Sequence, residues 1–335
     1  MKKEALLYAK TAGSAVRCFL CNHYCRIQDN KFGICGVRQN ISGVLYTLVY
    51  GKPVAMHIDP IEKKPLYQFL PGSLSFSIAT IGCNFRCGFC QNWEISQTDA
   101  RVLATPEDLV LPEEIVASAL KNGCQSISYT YTEPTVFFEY AFDTAKLSRA
   151  KGLRNVFVTN GFMTKECIFM IRPYLDAANV DLKFFDDKSY RKICGGSFKP
   201  VVDSIRLMHE SGIWVEVTTL IVPGENDSEE ELNSIAESIA GIDKNIPWHI
   251  SRFHPDYKFT DRKATDEGAL RKAIEFGKKA GLRYIYAGNV YGWGNDTLCP
   301  ECGRNIIKRE VFSVVENKVK EGKCGYCAAS IPGVF

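Results

Sequence analysis

The sequence predicts an α/β fold, a partial (β/α)6-type TIM barrel with a small cysteine-rich module before it and a second one after it. Two observations carry that expectation. From Leu74 to about Asn289, short β-branched and aromatic runs alternate with amphipathic helical segments, the pattern of repeated βα units around a parallel sheet. Eleven of the 14 cysteines fall in three clusters, one before this stretch, one at its start and one after it.

The first seventy residues read as a module of their own (1–70). Cys18, Cys21, Cys25 and Cys35 are followed by a hairpin-like run from Asn40 to Gly51, with strand formers between glycines. Pro53, Pro60, Pro65 and Pro71 then punctuate a linker-like stretch. The barrel is expected over 71–290. Its first strand, Leu74–Thr80, alternates apolar and polar residues, and further strands are expected over 126–131, 155–159, 177–182, 214–222, 248–253 and 283–287. Helices are expected over 112–121, 135–151, 201–211, 228–240 and 265–280, most stopping at a glycine before the next strand begins. The remaining residues, 291–335, hold two Cys-x-x-Cys pairs around a stretch rich in strand formers.

Composition excludes several classes. A net charge of +3 over 335 residues, with no block of like charges, leaves no footprint for nucleic acid. No stretch approaches the ~20 apolar residues of a membrane span. The amino terminus, Met-Lys-Lys-Glu-Ala-Leu-Leu-Tyr, lacks the apolar core and cleavage site of a signal peptide. So many cysteines without a signal point to a reducing, cytoplasmic compartment where thiols bind metals and do not form disulfides.

Cys83, Cys87 and Cys90 stand in Ile-Gly-Cys83-Asn-Phe-Arg-Cys87-Gly-Phe89-Cys90-Gln-Asn, on the loop leaving the first strand. A four-iron cubane takes four thiolates. Three at this spacing leave one iron open to a substrate or cofactor, whereas a zinc site favours four ligands in paired two-residue spacings. The arrangement resembles the radical S-adenosylmethionine (SAM) superfamily. The resemblance implies a [4Fe-4S] cluster on these cysteines and SAM on the open iron. Reductive cleavage of SAM would give a 5′-deoxyadenosyl radical that abstracts hydrogen from a substrate, and Phe89 would lie beside the adenine.

Chemistry in barrels collects at the carboxyl ends of the strands. The second strand ends in Tyr131-Thr132-Glu133-Pro134, in the place of the superfamily's "GGE-P" segment, with both glycines replaced. Thr132 and Glu133 are therefore candidate contacts to the ammonium of SAM, with a helix start capped by Thr132 as the plain alternative. The third strand ends in Val158-Thr159-Asn160-Gly161 and the fourth in Asp181-Leu-Lys183. Both are similar to segments of the pyruvate formate-lyase activating enzyme branch. By that likeness Asp181 and Lys183 would serve the carboxylate side of SAM, and Thr159 and Asn160 its polar edge. Val158 replaces an aspartate common in that branch, and an arginine of the branch near Thr218 is missing. Glu216, on an otherwise apolar fifth strand, is expected to be functional in the barrel interior or paired with a buried lysine. His254, after the sixth strand, is a candidate adenosine contact or proton donor, or else a structural histidine. Cys194, in Ile-Cys194-Gly-Gly-Ser, is a candidate hydrogen donor to a substrate radical, or else a buried thiol.

The carboxyl-terminal Cys299, Cys302, Cys324 and Cys327 have zinc-ribbon spacing and are expected to hold zinc as a closed structural site. The uneven amino-terminal set fits either zinc or an auxiliary Fe–S cluster. Over nearly its full length the chain resembles the AmmeMemoRadiSam-system radical SAM enzymes. The expected function is hydrogen abstraction from a small-molecule substrate, with electrons from a ferredoxin or flavodoxin. The alternatives are an activase that makes a glycyl radical on a partner protein, and a non-catalytic scaffold stapled by metals.

Overall fold

The computed structural model describes residues 2–102 and 109–335. Its centre is an eight-stranded sheet formed by β1 (Ala55–Pro60), β2 (Leu74–Ala79), β3 (Ser126–Tyr129), β4 (Arg154–Thr159), β5 (Ala177–Asp181), β6 (Trp214–Ile221), β7 (Trp248–Arg252) and β8 (Ile285–Gly288). Each strand pairs with its neighbour in chain order. β2 to β8 are parallel, and β1 runs antiparallel to β2. Among the described residues β1 and β8 do not pair with each other, so the barrel is open. The parallel strands number seven, one more than a six-unit barrel.

The helices α1 (Pro112–Lys121), α2 (Phe138–Ala150), α3 (Lys165–Ile171), α4 (Phe198–Glu210), α5 (Glu229–Ala240) and α6 (Glu267–Ala280) connect the parallel strands. Their starts follow local chemistry. Thr164 accepts a hydrogen bond from Cys167 N at α3, Ser228 from Glu231 N at α5, and Asp266 from Gly268 N at α6. At the end of α6, Gly281 takes φ 92°, a left-handed stop that a β-carbon would resist. Ile127, Tyr129, Phe157, Val180, Val217 and Ile250 share one face of the sheet by register and are buried there under the helices.

Two readings of the sequence change. The proline-punctuated stretch is not a linker: Ala55–Pro60 is the edge strand β1, so the sheet begins before the expected boundary at residue 70. Pro60, which has no N–H to give, ends that strand. The helix expected over 135–151 begins as a 3-10 turn, Pro134–Phe137, before α2.

Residues 61–73 and the carboxyl-terminal segment pack at the amino ends of the parallel strands, where Ile61, Leu66 and Phe69 bury against Val156 and Ala177. Tyr67 N and Gln68 N donate to the Glu216 carboxylate at 3.0 and 2.8 Å. That carboxylate also accepts from Trp214 Nε1 at 3.0 Å and lies 2.6 Å from His249 Nε2. Glu216 is thus fully partnered, by a histidine and backbone amides and not by a lysine. Gln68 Nε2 donates to the Tyr286 hydroxyl at 3.2 Å. From the carboxyl-terminal segment Arg309 donates to Tyr67 O at 2.5 Å and faces the buried Glu62 at 3.5 Å. Leu70 N donates to Val334 O at 2.7 Å.

Candidate active site

A cavity of about 300 Å3 lies at the carboxyl ends of the parallel strands. The loop after β2 brings Cys83, Cys87, Phe89 and Cys90 to it, the β3 end Thr132 and Glu133, the β4 end Thr159 and Asn160, and the β5 end Asp181 and Lys183. These are the site residues expected from the sequence, apart from two.

The cysteine loop is held from several sides. Phe85 N donates to Cys83 Sγ at 3.3 Å, Ser96 Oγ lies 3.1 Å from Cys90 Sγ, and Arg86 N donates to Cys194 O at 2.7 Å. Burial, with the charge of Glu133 behind it, pushes the Cys83 thiol well above its ordinary range. The neighbouring Cys194 thiol and burial do the same for Cys87, and burial raises Cys90. No three of these sulfurs crowd within the 4.8 Å that would suit one shared ion. Asn84 Nδ2, beside Cys83, is a buried donor with no protein partner. Open spacing, three thiols and a spare donor fit a cluster with a free iron better than a single closed ion.

Glu133 lines the cavity, and its carboxylate is held by neighbouring protein groups. Its carboxylate accepts from Thr135 N at 3.1 Å, Thr159 Oγ1 at 2.7 Å and Asn160 N at 2.8 Å. It is the residue that caps the 3-10 turn, in place of Thr132, whose hydroxyl donates to Thr80 O at 2.9 Å. Both carboxylate oxygens are occupied, so Glu133 fixes the Thr159–Asn160 turn. Asn160 Nδ2 in turn donates to Asn84 Oδ1 at 2.7 Å, which ties that turn to the cysteine loop.

Lys183 Nζ meets Asp181 Oδ2 at 2.7 Å and stands 5.8 Å from the centre of the Phe89 ring. Burial opposes its charge, but Asp181 and the Cys87 and Cys194 thiols outweigh that and hold the ammonium well above its usual range. A fixed cation beside three thiols suits an anionic group bound next to the metal.

Cys194 and His254 lie elsewhere. Cys194 is fully buried at the end of the helical turn Tyr190–Cys194, against Cys87 and outside the cavity lining. His254 is exposed and lines a neighbouring cavity. Its Nε2 accepts from the Gln91 amide at 2.9 Å, and it is Gln91 that reaches the central cavity.

Sequence reasoning missed a second charged group in the cavity lining. Lys63 and Lys64 line the cavity, and Lys64 Nζ bonds Asp59 Oδ2 at 2.6 Å. The Tyr131 hydroxyl also donates to Asp59, and Lys64 lies 4.5 Å from the centre of the Tyr131 ring. Two lysines among prolines read as solvated charge, and nothing local pairs residue 59 with residue 131. At the carboxyl terminus, Cys299, Cys302, Cys324 and Cys327 bring their sulfurs within 4.8 Å of one another. This set can hold one metal ion.

A family profile described as the radical SAM superfamily matches residues 77–236, the span that carries the cysteine loop and β3 to β6. An uncharacterized protein of Methanocaldococcus jannaschii is 42% identical over 333 residues, covering 98% of each chain. The chain belongs to the radical SAM superfamily. It is therefore an enzyme of radical chemistry, and membership implies a [4Fe-4S] cluster and SAM. A pyruvate formate-lyase-activating enzyme of Clostridium pasteurianum is 23% identical, over 59% of this chain and 87% of its own. Among solved structures, a radical SAM methyltransferase from Sphaerobacter thermophilus shares the fold at TM-score 0.51 and 15% identity, over 65% of this chain and 67% of that one. No helix among the described residues is long and apolar enough to cross a membrane.

Proposed function

We propose that Cys83, Cys87 and Cys90 hold the cluster and that SAM binds across the ends of β3 to β5. We further propose that the substrate is a small molecule. When bound, the cluster and SAM supply a 5′-deoxyadenosyl radical for hydrogen abstraction. The chain's own residues do the positioning. Lys183, kept charged by Asp181, pairs with an anionic group of the cofactor. Thr159 and Asn160 present a polar edge locked by Glu133. Phe89 walls the site beside Lys183 and excludes water there. Cys299, Cys302, Cys324 and Cys327 are assigned zinc, because a tetrahedral zinc–thiolate site spaces its sulfurs about 3.8 Å apart. Two of the pairs stand at 3.6 and 3.9 Å.

The cavity of about 300 Å3 at the carboxyl ends of the strands, which must hold SAM as well, carries the choice of a small molecule. The likeness to an enzyme named as a pyruvate formate-lyase activase keeps a partner protein as the second reading.

Anaerobically reconstituted protein with dithionite and SAM is expected to release 5′-deoxyadenosine, and Cys87→Ala to abolish it. Product unchanged in that variant removes the assignment of the cluster ligands. Deuterated small molecules are then expected to label the deoxyadenosine. Label arriving only from a partner protein, with a glycyl radical signal by electron paramagnetic resonance, overturns the substrate class.

A further inference from the structure

The amino-terminal cysteines surround a cavity of their own, lined by Cys18, Cys21, Cys25 and Cys35 with Ile27 and Val136 as apolar wall. Each sulfur has an N–H donor turned to it. Arg38 Nη1 donates to Cys18 Sγ at 3.4 Å, His23 N faces Cys21, Ile34 N faces Cys25 and Val37 N faces Cys35. Such donors offset the charge of metal-bound thiolates. Gly33 leaves the space between two of them open: a β-carbon there would stand 3.8 Å from Cys35 Sγ and 3.9 Å from Cys25 Sγ.

Sulfur spacing separates the metal classes within this one molecule. Four thiolates on a single ion stand about 3.8 Å apart. The carboxyl-terminal four are gathered within 4.8 Å, whereas no three of the amino-terminal sulfurs, and not the three central ones, are. In a cubane each thiolate sits on a different iron, which spreads the sulfurs in this way. The set also abuts the central loop. His23 Nε2 lies 2.8 Å from Asn84 O, next to Cys83, and Arg86 Nη2 donates to Ile34 O at 2.6 Å, next to Cys35.

We propose that Cys18, Cys21, Cys25 and Cys35 bind a second, all-cysteine four-iron cluster beside the central one. Unlike the central site, it has no vacant iron and so no place for SAM.

The test uses the full chain with the central ligands removed, Cys83→Ala/Cys87→Ala/Cys90→Ala, reconstituted anaerobically with iron and sulfide. About four irons and four sulfides are expected to remain, with a cubane spectrum that SAM does not change. Adding Cys25→Ala and Cys35→Ala is expected to remove that sulfide. Gly33→Leu, which keeps every ligand and fills the space between them, is expected to do the same. Zinc or iron without acid-labile sulfide in the triple variant overturns the proposal, as does sulfide that survives the added substitutions. Because the test reads a chain unable to make deoxyadenosine, its result stands apart from that of the cleavage assay.

Discussion

The Asp59–Lys64 pair tests whether the cavity wall around Tyr131 is built as described. Lys64 and Asp59 are 2% and 5% exposed and meet at 2.6 Å. Burial works against the Asp59 charge, but hydrogen bonds from Lys64, Tyr131 and Lys63 outweigh it and hold the carboxyl well below the usual carboxylate range. Asp59→Asn still accepts from Tyr131 yet leaves the Lys64 ammonium buried without its counter-ion, at a cost of about 3 to 5 kcal/mol. Asp59→Asn/Lys64→Met removes the stranded charge and is expected to recover at least half of that loss, a coupling of roughly 2 kcal/mol. Urea unfolding of anaerobically prepared protein measures both. The sign with pH follows from the depressed pKa. The contribution of Asp59 is complete above the unfolded carboxyl value near 3.9 and is lost only as pH falls through the lower folded value. Burial lowers Lys64 to about 8 even beside Asp59, and further without it, so the stranded amine must be protonated as pH falls and the gap between wild type and Asp59→Asn is expected to widen from about pH 7.5 to 5. A single-variant loss under about 1 kcal/mol, or a gap that closes within that window, refutes the buried pair.

Other variants probe the site from further sides. Gly196→Ala places a β-carbon 2.3 Å from Phe85 Cζ, and Phe85 lies between Cys83 and Cys87. A loss of about 1 to 3 kcal/mol and a weaker hold on iron are expected, read by unfolding and by iron content after desalting. Cys194→Ala is expected to keep deoxyadenosine formation within about threefold of wild type, since that thiol lies behind Cys87; a hundredfold loss would return it to the chemistry. Cys324→Ser opens the carboxyl-terminal set and is expected to release its metal to a chelator and lower the melting temperature, as metal binding there is part of folding.

Local chemistry made much of the fold legible. Five of the seven parallel strands, β2, β3, β4, β6 and β8, begin within four residues of a glycine, and Ser228 and Asp266 announce their helices. The cysteine loop was readable because its function lies in spacing along one short segment. What escaped depends on distant partners. The edge strand Ala55–Pro60 has exposed Met56, His57 and Ile58 and so lacks the apolar alternation that marks a half-buried strand. Helix α3 is only seven residues long, too short to show a periodic face. Glu133 reads as a free carboxylate in a motif, and only the approach of the β4 end, 26 residues away, turns it into a clamp on Thr159.

The replaced glycine pair shows how one turn can be kept while its contents change. Tyr131 sits at φ 63°, a left-handed conformation that suits glycine and costs a bulky residue roughly 1 to 2 kcal/mol. The strain is offset where the side chain lands: its hydroxyl bonds Asp59 and its ring lies against the Lys64 ammonium. Glycine there would relax the backbone but leave the wall without that ring. The turn before Glu133 thus supports the same clamp on Thr159 and Asn160, while Tyr131, Lys64 and Asp59 add an aromatic and charged wall to the cavity.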